Sequence, residues 1–280
     1  MDPGLQRRVQ RYGWDKASDY YEAFWQNQLR PAQDLLLEMA ELQPGENVLD
    51  VACGTGLLSF DTLRLIGGNG RLLGTDISEK MVNYASTIAL KKLENRVQFE
   101  RMDAEELQLG DHSFDAALCA LGLMYMPDPR KALGEMHRVL KPGGRATVAV
   151  WGERAHCGWA ELFEIVDKHV ASEVCPMFFN LGNPGMLELN FKAAGFTDIS
   201  VQRISTVLHY KDAKEALGAA FEGGPVALVY FKFSDPVKHQ VHEAYLSSLS
   251  RYRHGEKYEV PGEFVIAKGI RQPVVRHNER

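Results

Sequence analysis

Paired cysteines are missing from this 280-residue sequence: Cys53, Cys119, Cys157 and Cys175 form no C-x-x-C pair and show no histidine spacing typical of zinc. That pattern excludes a disulfide framework and a structural zinc site, and the thiols are expected to stay reduced. Long apolar runs are also missing. The longest, residues 116–126, contains a glycine and falls far short of the ~20 residues a membrane helix needs. Residues 1–15 have no apolar signal core, so the expectation is a cytoplasmic protein with no membrane span. A basic excess is lacking too. The net charge of −5 and pI near 6.0 provide no global field to hold a polyanion, which disfavours nucleic acid as a partner. The small cluster Arg7, Arg8 and Arg11 reads as a solvated turn, in a polar stretch 1–13 expected to be loosely held.

What is present suits a globular chain with a core of ordinary size: 45% hydrophobic and 25% charged residues, enough for one large domain with an elaboration. The informative stretch is Glu46-Asn-Val-Leu-Asp-Val-Ala-Cys-Gly-Thr-Gly56. It reads as a short buried strand, an acid at its end, a glycine turn and then leucines at helical spacing. Gly54 and Gly56 free the backbone for positive φ and for close approach of a ligand. The dinucleotide fingerprint fails because position 59 is serine, and no Gly-Lys-Ser/Thr of a phosphate loop is present. Asp50, just before the turn, would repel a pyrophosphate but suits a ligand with an ammonium group and no phosphate. S-adenosylmethionine is such a ligand.

Further acids follow at telling places. Asp76 ends a second apolar run, twenty residues past Gly56, where a strand-end carboxylate takes ribose hydroxyls in doubly wound folds. Asp103, after a third run, is placed to accept from an adenine amino group. Residues 113–119 and 140–150 predict a fourth and a fifth strand, and the apolar loop 120–127 between fourth strand and next helix is expected to wall a pocket.

Val48-Leu-Asp-Val-Ala-Cys-Gly-Thr-Gly56, Gly74-Thr-Asp-Ile-Ser78, Asp103-Ala104, Phe114-Asp115 and Arg138-Val-Leu-Lys-Pro-Gly-Gly144 together resemble the ordered motifs of class I S-adenosylmethionine-dependent methyltransferases. The closest flavour is the ubiquinone/menaquinone-biosynthesis (methyltransferase type 11-like) family. The likeness covers about residues 30–152. It implies an α/β fold: a seven-stranded, mostly parallel Rossmann-like sheet of order 3-2-1-4-5-7-6, with helices on both faces and a helical lid inserted between the last two strands. It implies S-adenosylmethionine as cofactor, contacted by Asp50, Ala52, Gly54, Thr55, Gly56, Asp76, Ile77, Met81, Asp103, Ala104 and Ala120. In relatives an N-terminal element folds over the cofactor, which adds Tyr21 near the methionyl end. Two departures stand out: Ala52 replaces a glycine common among relatives, and no Asn/Asp-Pro-Pro-aromatic motif follows the fourth strand. The second weakens any case for methylating adenine, cytosine or glutamine amide nitrogens.

The organisation expected is an aromatic helical segment at 1–29, a cofactor-binding domain at 30–210 and 258–271, a helical lid at 211–257 and a tail at 272–280. A long strand is predicted over Thr197–Tyr210 and a final one over Phe264–Lys268. The expected activity is methyl transfer to a small, partly apolar metabolite, its accepting atom being oxygen, nitrogen or carbon. His156, in the loop after the fifth strand, is the candidate base for a hydroxyl acceptor. Other readings are a protein that binds S-adenosylmethionine without transferring methyl, and arsenite methylation through thiolates. A homodimer through exposed aromatics is one further option.

Overall fold

The computed structural model describes residues 2–170, 175 and 177–272. Helices α1 (Pro3–Ala17) and α2 (Tyr21–Trp25) precede α3 (Arg30–Ala40). Then β1 (Asn47–Val51), α4 (Leu57–Leu65), β2 (Arg71–Asp76), α5 (Glu79–Lys91), β3 (Val97–Arg101) and β4 (Phe114–Ala120) alternate. After these come α6 (Pro129–Val139), β5 (Leu140–Trp151), α7 (Glu161–Asp167), α8 (Met186–Ala193) and β6 (Thr197–Tyr210). The chain then forms α9 (Ala213–Leu217), a π-turn at Gly218–Glu222, α10 (Ala227–Tyr230), α11 (Asp235–Ser248), β7 (Arg253–His254) and β8 (Lys257–Ile270).

The sheet runs β3-β2-β1-β4-β5-β8-β6, the predicted order. β7 is a two-residue addition that pairs with β8. The first five strands are parallel, and β8 is antiparallel to both β5 and β6. Central strands β1 and β4 read as near-continuous buried runs because helices cover both faces. The final strand begins at residue 257, not 264. Residues 259–263 pair with β6 and have no strand partner on their other side; there the Pro261 carbonyl accepts from Gly158 N at 2.8 Å, and the missing N–H of Pro261 costs no ladder bond.

The N-terminus differs from expectation. Residues 3–17 are a helix, capped by Asp2, whose side chain accepts from Leu5 N at 2.8 Å, with Pro3 in the first turn. Side chains fasten it across the carboxyl ends of the strands. Asp15 Oδ1 accepts from Ser78 Oγ (2.6 Å) and Lys80 N (3.2 Å), and Arg11 approaches Glu79. Of the arginines supposed to form a solvated turn, Arg7 and Arg11 thus face the sheet's functional edge, and Arg8 is exposed. Helix α2 carries Glu22, which accepts from Tyr84 Oη of α5 at 2.9 Å. Its Phe24 ring lies against Gly218, where any Cβ would sit 2.1 Å from ring carbon. Only glycine lets the π-turn come this close, so the N-terminal helices and the segment after β6 pack as one cover.

Candidate functional site: a cofactor cleft joined to an aromatic cavity

The cleft lies beyond the carboxyl ends of β1, β2 and β4, where open α/β sheets bind ligands. It spans about 750 Å3, open solvent at its mouth included. Nine of the twelve expected cofactor residues line it: Tyr21, Ala52, Gly54, Asp76, Ile77, Met81, Asp103, Ala104 and Ala120. Asp50, Thr55 and Gly56 stand behind the lining. Asp50 is buried beneath the turn and accepts from Ser59 Oγ at 2.5 Å. Burial drives its carboxyl up to about 7 against the pull of the Ser59 bond, and nearby Asp76 adds to the rise. Thr55 is fully buried. Gly56 opens α4 at φ 88°, and a Cβ there would meet the rings of Phe60 and Phe99.

Asp76 ends β2 with each oxygen engaged once, Oδ2 by Gly54 N (2.9 Å) and Oδ1 by Ser78 N (2.8 Å). Burial raises its carboxyl to about 6 despite these two donors, and it keeps lone pairs for further hydroxyl donors. The turn itself is strained at a non-glycine position: Ala52 has φ 55°, and Leu121, in the loop after β4, has φ 61°. The two loops touch. A Cβ on Gly122 would lie 2.4 Å from Ala52 Cβ, so the methyl that replaces a common glycine occupies the space Gly122 leaves.

The lining includes residues that sequence reasoning missed: Arg7, Gln10 and Trp14 of α1, and Glu105 beyond β3. Arg7 Nε meets Asp103 Oδ2 at 2.9 Å, and its guanidinium also pairs with the buried Glu105. Its charge is therefore already neutralised. The only pointers to this contact were the Asp2 cap and Pro3, both of which announce a helix. With Asp76, Asp103 and Glu105 against one arginine, the cleft is formally anionic. It suits a cationic ligand such as a sulfonium with an ammonium group and offers nothing to a phosphate.

A second, narrower cavity, about 490 Å3 with open solvent and the gaps between side chains included, adjoins the first, and Trp14, Tyr21, Leu121 and Tyr125 line both. Nine of its sixteen lining residues are aromatic and none carries a charge. All four tryptophans of the chain, Trp14, Trp25, Trp151 and Trp159, face it. The cover contributes Ala220, Gly224, Pro225 and Tyr245, and Tyr210 comes from the end of β6. Trp151 links neighbours, its ring centroid 6.2 Å from Trp25 and 4.8 Å from Trp159. Burial, with Asp76 nearby, pushes the Tyr21 hydroxyl well above the ordinary phenol range, so it stays a neutral donor.

His156 lines neither cavity. Its Nδ1 lies 2.9 Å from Glu263 Oε1 on the flank of the sheet, where Arg203 Nη1 donates to Glu263 Oε2 at 2.6 Å. The four cysteines are free thiols and line neither cavity. Among the described residues no helix is long and apolar enough to cross a membrane.

Sheet order, strand-end acid and glycine turn define a class of protein: a doubly wound α/β domain that binds an adenosyl cofactor without phosphate groups. Residues 42–175 match the family model for a methyltransferase domain. This stretch, just under half of the chain, is similar to class I S-adenosylmethionine-dependent methyltransferase domains, and the curated relatives it matches are of the ubiquinone/menaquinone-biosynthesis type. The chain is similar to a ubiquinone/menaquinone biosynthesis C-methyltransferase of Teredinibacter turnerae, 38% identical over 113 residues, 40% of this chain and 45% of that one. It is also similar to a demethylmenaquinone methyltransferase of Listeria monocytogenes, 34% identical over 134 residues, 48% and 56% of the two chains. The chain thus spans about half the length of these curated relatives. The YcgJ protein of Bacillus subtilis shares the fold, with TM-score 0.60 and 19% identity over 87% of this chain and 99% of that one.

Proposed function

We propose that this chain transfers the methyl group of S-adenosylmethionine to a small, largely apolar acceptor held in the aromatic cavity. The observation that carries the reading is the pairing of cavities: an anionic cleft and a charge-free aromatic one share a wall made of Trp14, Tyr21, Leu121 and Tyr125. Bound in the cleft, S-adenosylmethionine supplies an electrophilic methyl on a sulfonium. Asp76 would hold the ribose, Asp103 the adenine amino group, with Met81 and Ile77 against the base. The acids favour the cofactor's net positive charge.

The chain's own contribution is placement and exclusion of water. Holding two reactants at attack distance contributes up to roughly 7–11 kcal/mol, and a cavity without ionised side chains suits a reaction that discharges a cation. The cover over residues 211–257, together with α1 and α2, would close both cavities at once. His156 lies outside this arrangement, and no base is assigned. The test is to incubate the protein with S-adenosylmethionine and a panel of phenols, quinols and amines, and to follow S-adenosylhomocysteine by mass spectrometry. Acceptor-dependent formation supports transfer. Tight binding with unchanged cofactor across the panel would favour a protein that binds S-adenosylmethionine for another purpose.

A further inference from the structure

Two polar atoms on side chains that line the aromatic cavity stand out because no described residue satisfies them. The indole Nε1 atoms of Trp25 and Trp159 are buried and have no hydrogen-bond partner among the described residues. Both indoles line the cavity, at 7% and 3% exposure, and reach it from different elements, α2 and the loop before α7. Their rings are fixed: Trp25 stands edge-on to Trp151, and Trp159 edge-on to Phe178 at 5.5 Å and 90°. An indole N–H can only donate. A buried donor left unmade is costly, and fixed rings cannot turn it out to solvent. Its natural complement is a lone pair brought by a ligand.

We infer that Trp25 and Trp159 are the specificity-determining donors of this cavity, selecting an uncharged, ring-sized acceptor through its oxygen lone pairs. The inference rests on reading the aromatic cavity as the acceptor site. A box of aromatic faces alone would also attract an ammonium group. The two N–H dipoles present positive ends, and among the described residues no carboxylate lines the cavity to offset them, so a cation is disfavoured there. A carboxylate ligand would find donors but no counter-charge, and its desolvation would go uncompensated. Neutral oxygen meets both conditions.

The test uses the full chain with and without S-adenosylhomocysteine, and calorimetric titration with 1-naphthol, naphthalene, 1-naphthylmethylammonium and 1-naphthoate. Expected is binding of naphthol, with both charged ligands at least about tenfold weaker. In Trp159→Phe and Trp25→Phe the ring is kept and the donor removed. Each should lower naphthol affinity about five- to tenfold, the range of one buried hydrogen bond, while naphthalene affinity stays within about twofold. The naphthalene control separates a lost donor from a distorted cavity. Equal losses for naphthol and naphthalene, no loss in either variant, or preference for the ammonium would each overturn the inference. Failure of S-adenosylhomocysteine to bind would instead defeat the cofactor reading and leave the naphthol–naphthalene contrast to be judged by itself.

Discussion

Asp50 offers the sharpest physical test because it is an acid with almost no contact with water. Its carboxyl, ordinarily near 3.8, is held at about 7 by burial. The unfolded chain gives up this proton near 3.8, the folded protein near 7, so folding takes up a proton between those values. This group's stabilising contribution is therefore fully present below about pH 4 and is lost as pH rises through about 7. Between pH 5 and pH 8 the loss comes to about 3 kcal/mol at ~1.4 kcal/mol per pH unit. Asp50→Asn removes the titration. The amide oxygen can still accept from Ser59, but the amide N–H groups lack acceptors, at a constant cost of about 1–3 kcal/mol. The variant should thus melt below the wild type at pH 5 and gain on it by pH 8. At ~2–4 °C per kcal/mol for chains of this size, the difference in Tm should swing by about 6–12 °C between the two pH values. Differential scanning calorimetry without ligand measures it. A difference that stays constant within about 2 °C would refute the argument that a buried, ionising Asp50 weakens the fold.

Three other outcomes follow from the site. Asp76→Ala deletes the acceptor of both Gly54 N and Ser78 N along with the ribose ligand, so calorimetry should show S-adenosylhomocysteine affinity lowered at least about a hundredfold; a change under threefold would remove Asp76 from the cleft's chemistry. Gly122→Ala drives one methyl into another at Ala52 and should weaken cofactor binding about tenfold, whereas Ala52→Gly/Gly122→Ala should regain most of it, because the collision goes and the positive φ at 52 becomes easy for glycine. Additive losses in the double variant would disprove the coupling. His156→Ala should leave the initial rate of methyl transfer at pH 7.5 within about twofold, since the ring faces Glu263 outside both cavities; a drop of tenfold or more would restore it as the base.

The cofactor half of the site was legible because its signals are local. Strand, acid, glycine turn and helix fall within residues 46–65, Asp76 ends β2 and Asp103 follows β3 by two residues, so register along a parallel sheet brings them to one edge. β6 too was readable to the residue, since the apolar positions Ile199, Val201, Ile204 and Val207 recur over Thr197–Tyr210 with no glycine or proline to break the run. What failed was length and attachment. The final strand runs longer than its apolar stretch because pairing with β6 and β7 carries it back through Lys257, Glu259 and Pro261, between which Tyr258 and Val260 alternate into the core. Residues 3–13 looked loose because nothing in them is strongly apolar. Their helix is held by ion pairs with Asp103, Glu105 and Glu79, about seventy to a hundred positions away.

The aromatic cavity was illegible for a deeper reason. Its walls come from α1, α2, the loop after β4, the end of β5, α7, β6 and α11, so no window of sequence contains the pattern. Each tryptophan, taken alone, is better explained as core, and burial figures agree: Trp25, Trp151 and Trp159 are all nearly inaccessible. Only the assembled structure shows that they converge and that two of them bury a donor without an acceptor. An ordinary core has no need of that arrangement, since an aromatic ring without an N–H would fill much of the volume without burying a donor. Wasted donors at a wall shared with the cofactor cleft make sense if the partner arrives with the substrate. Recognition of the acceptor is then written in long-range convergence, and recognition of the cofactor in short-range motif.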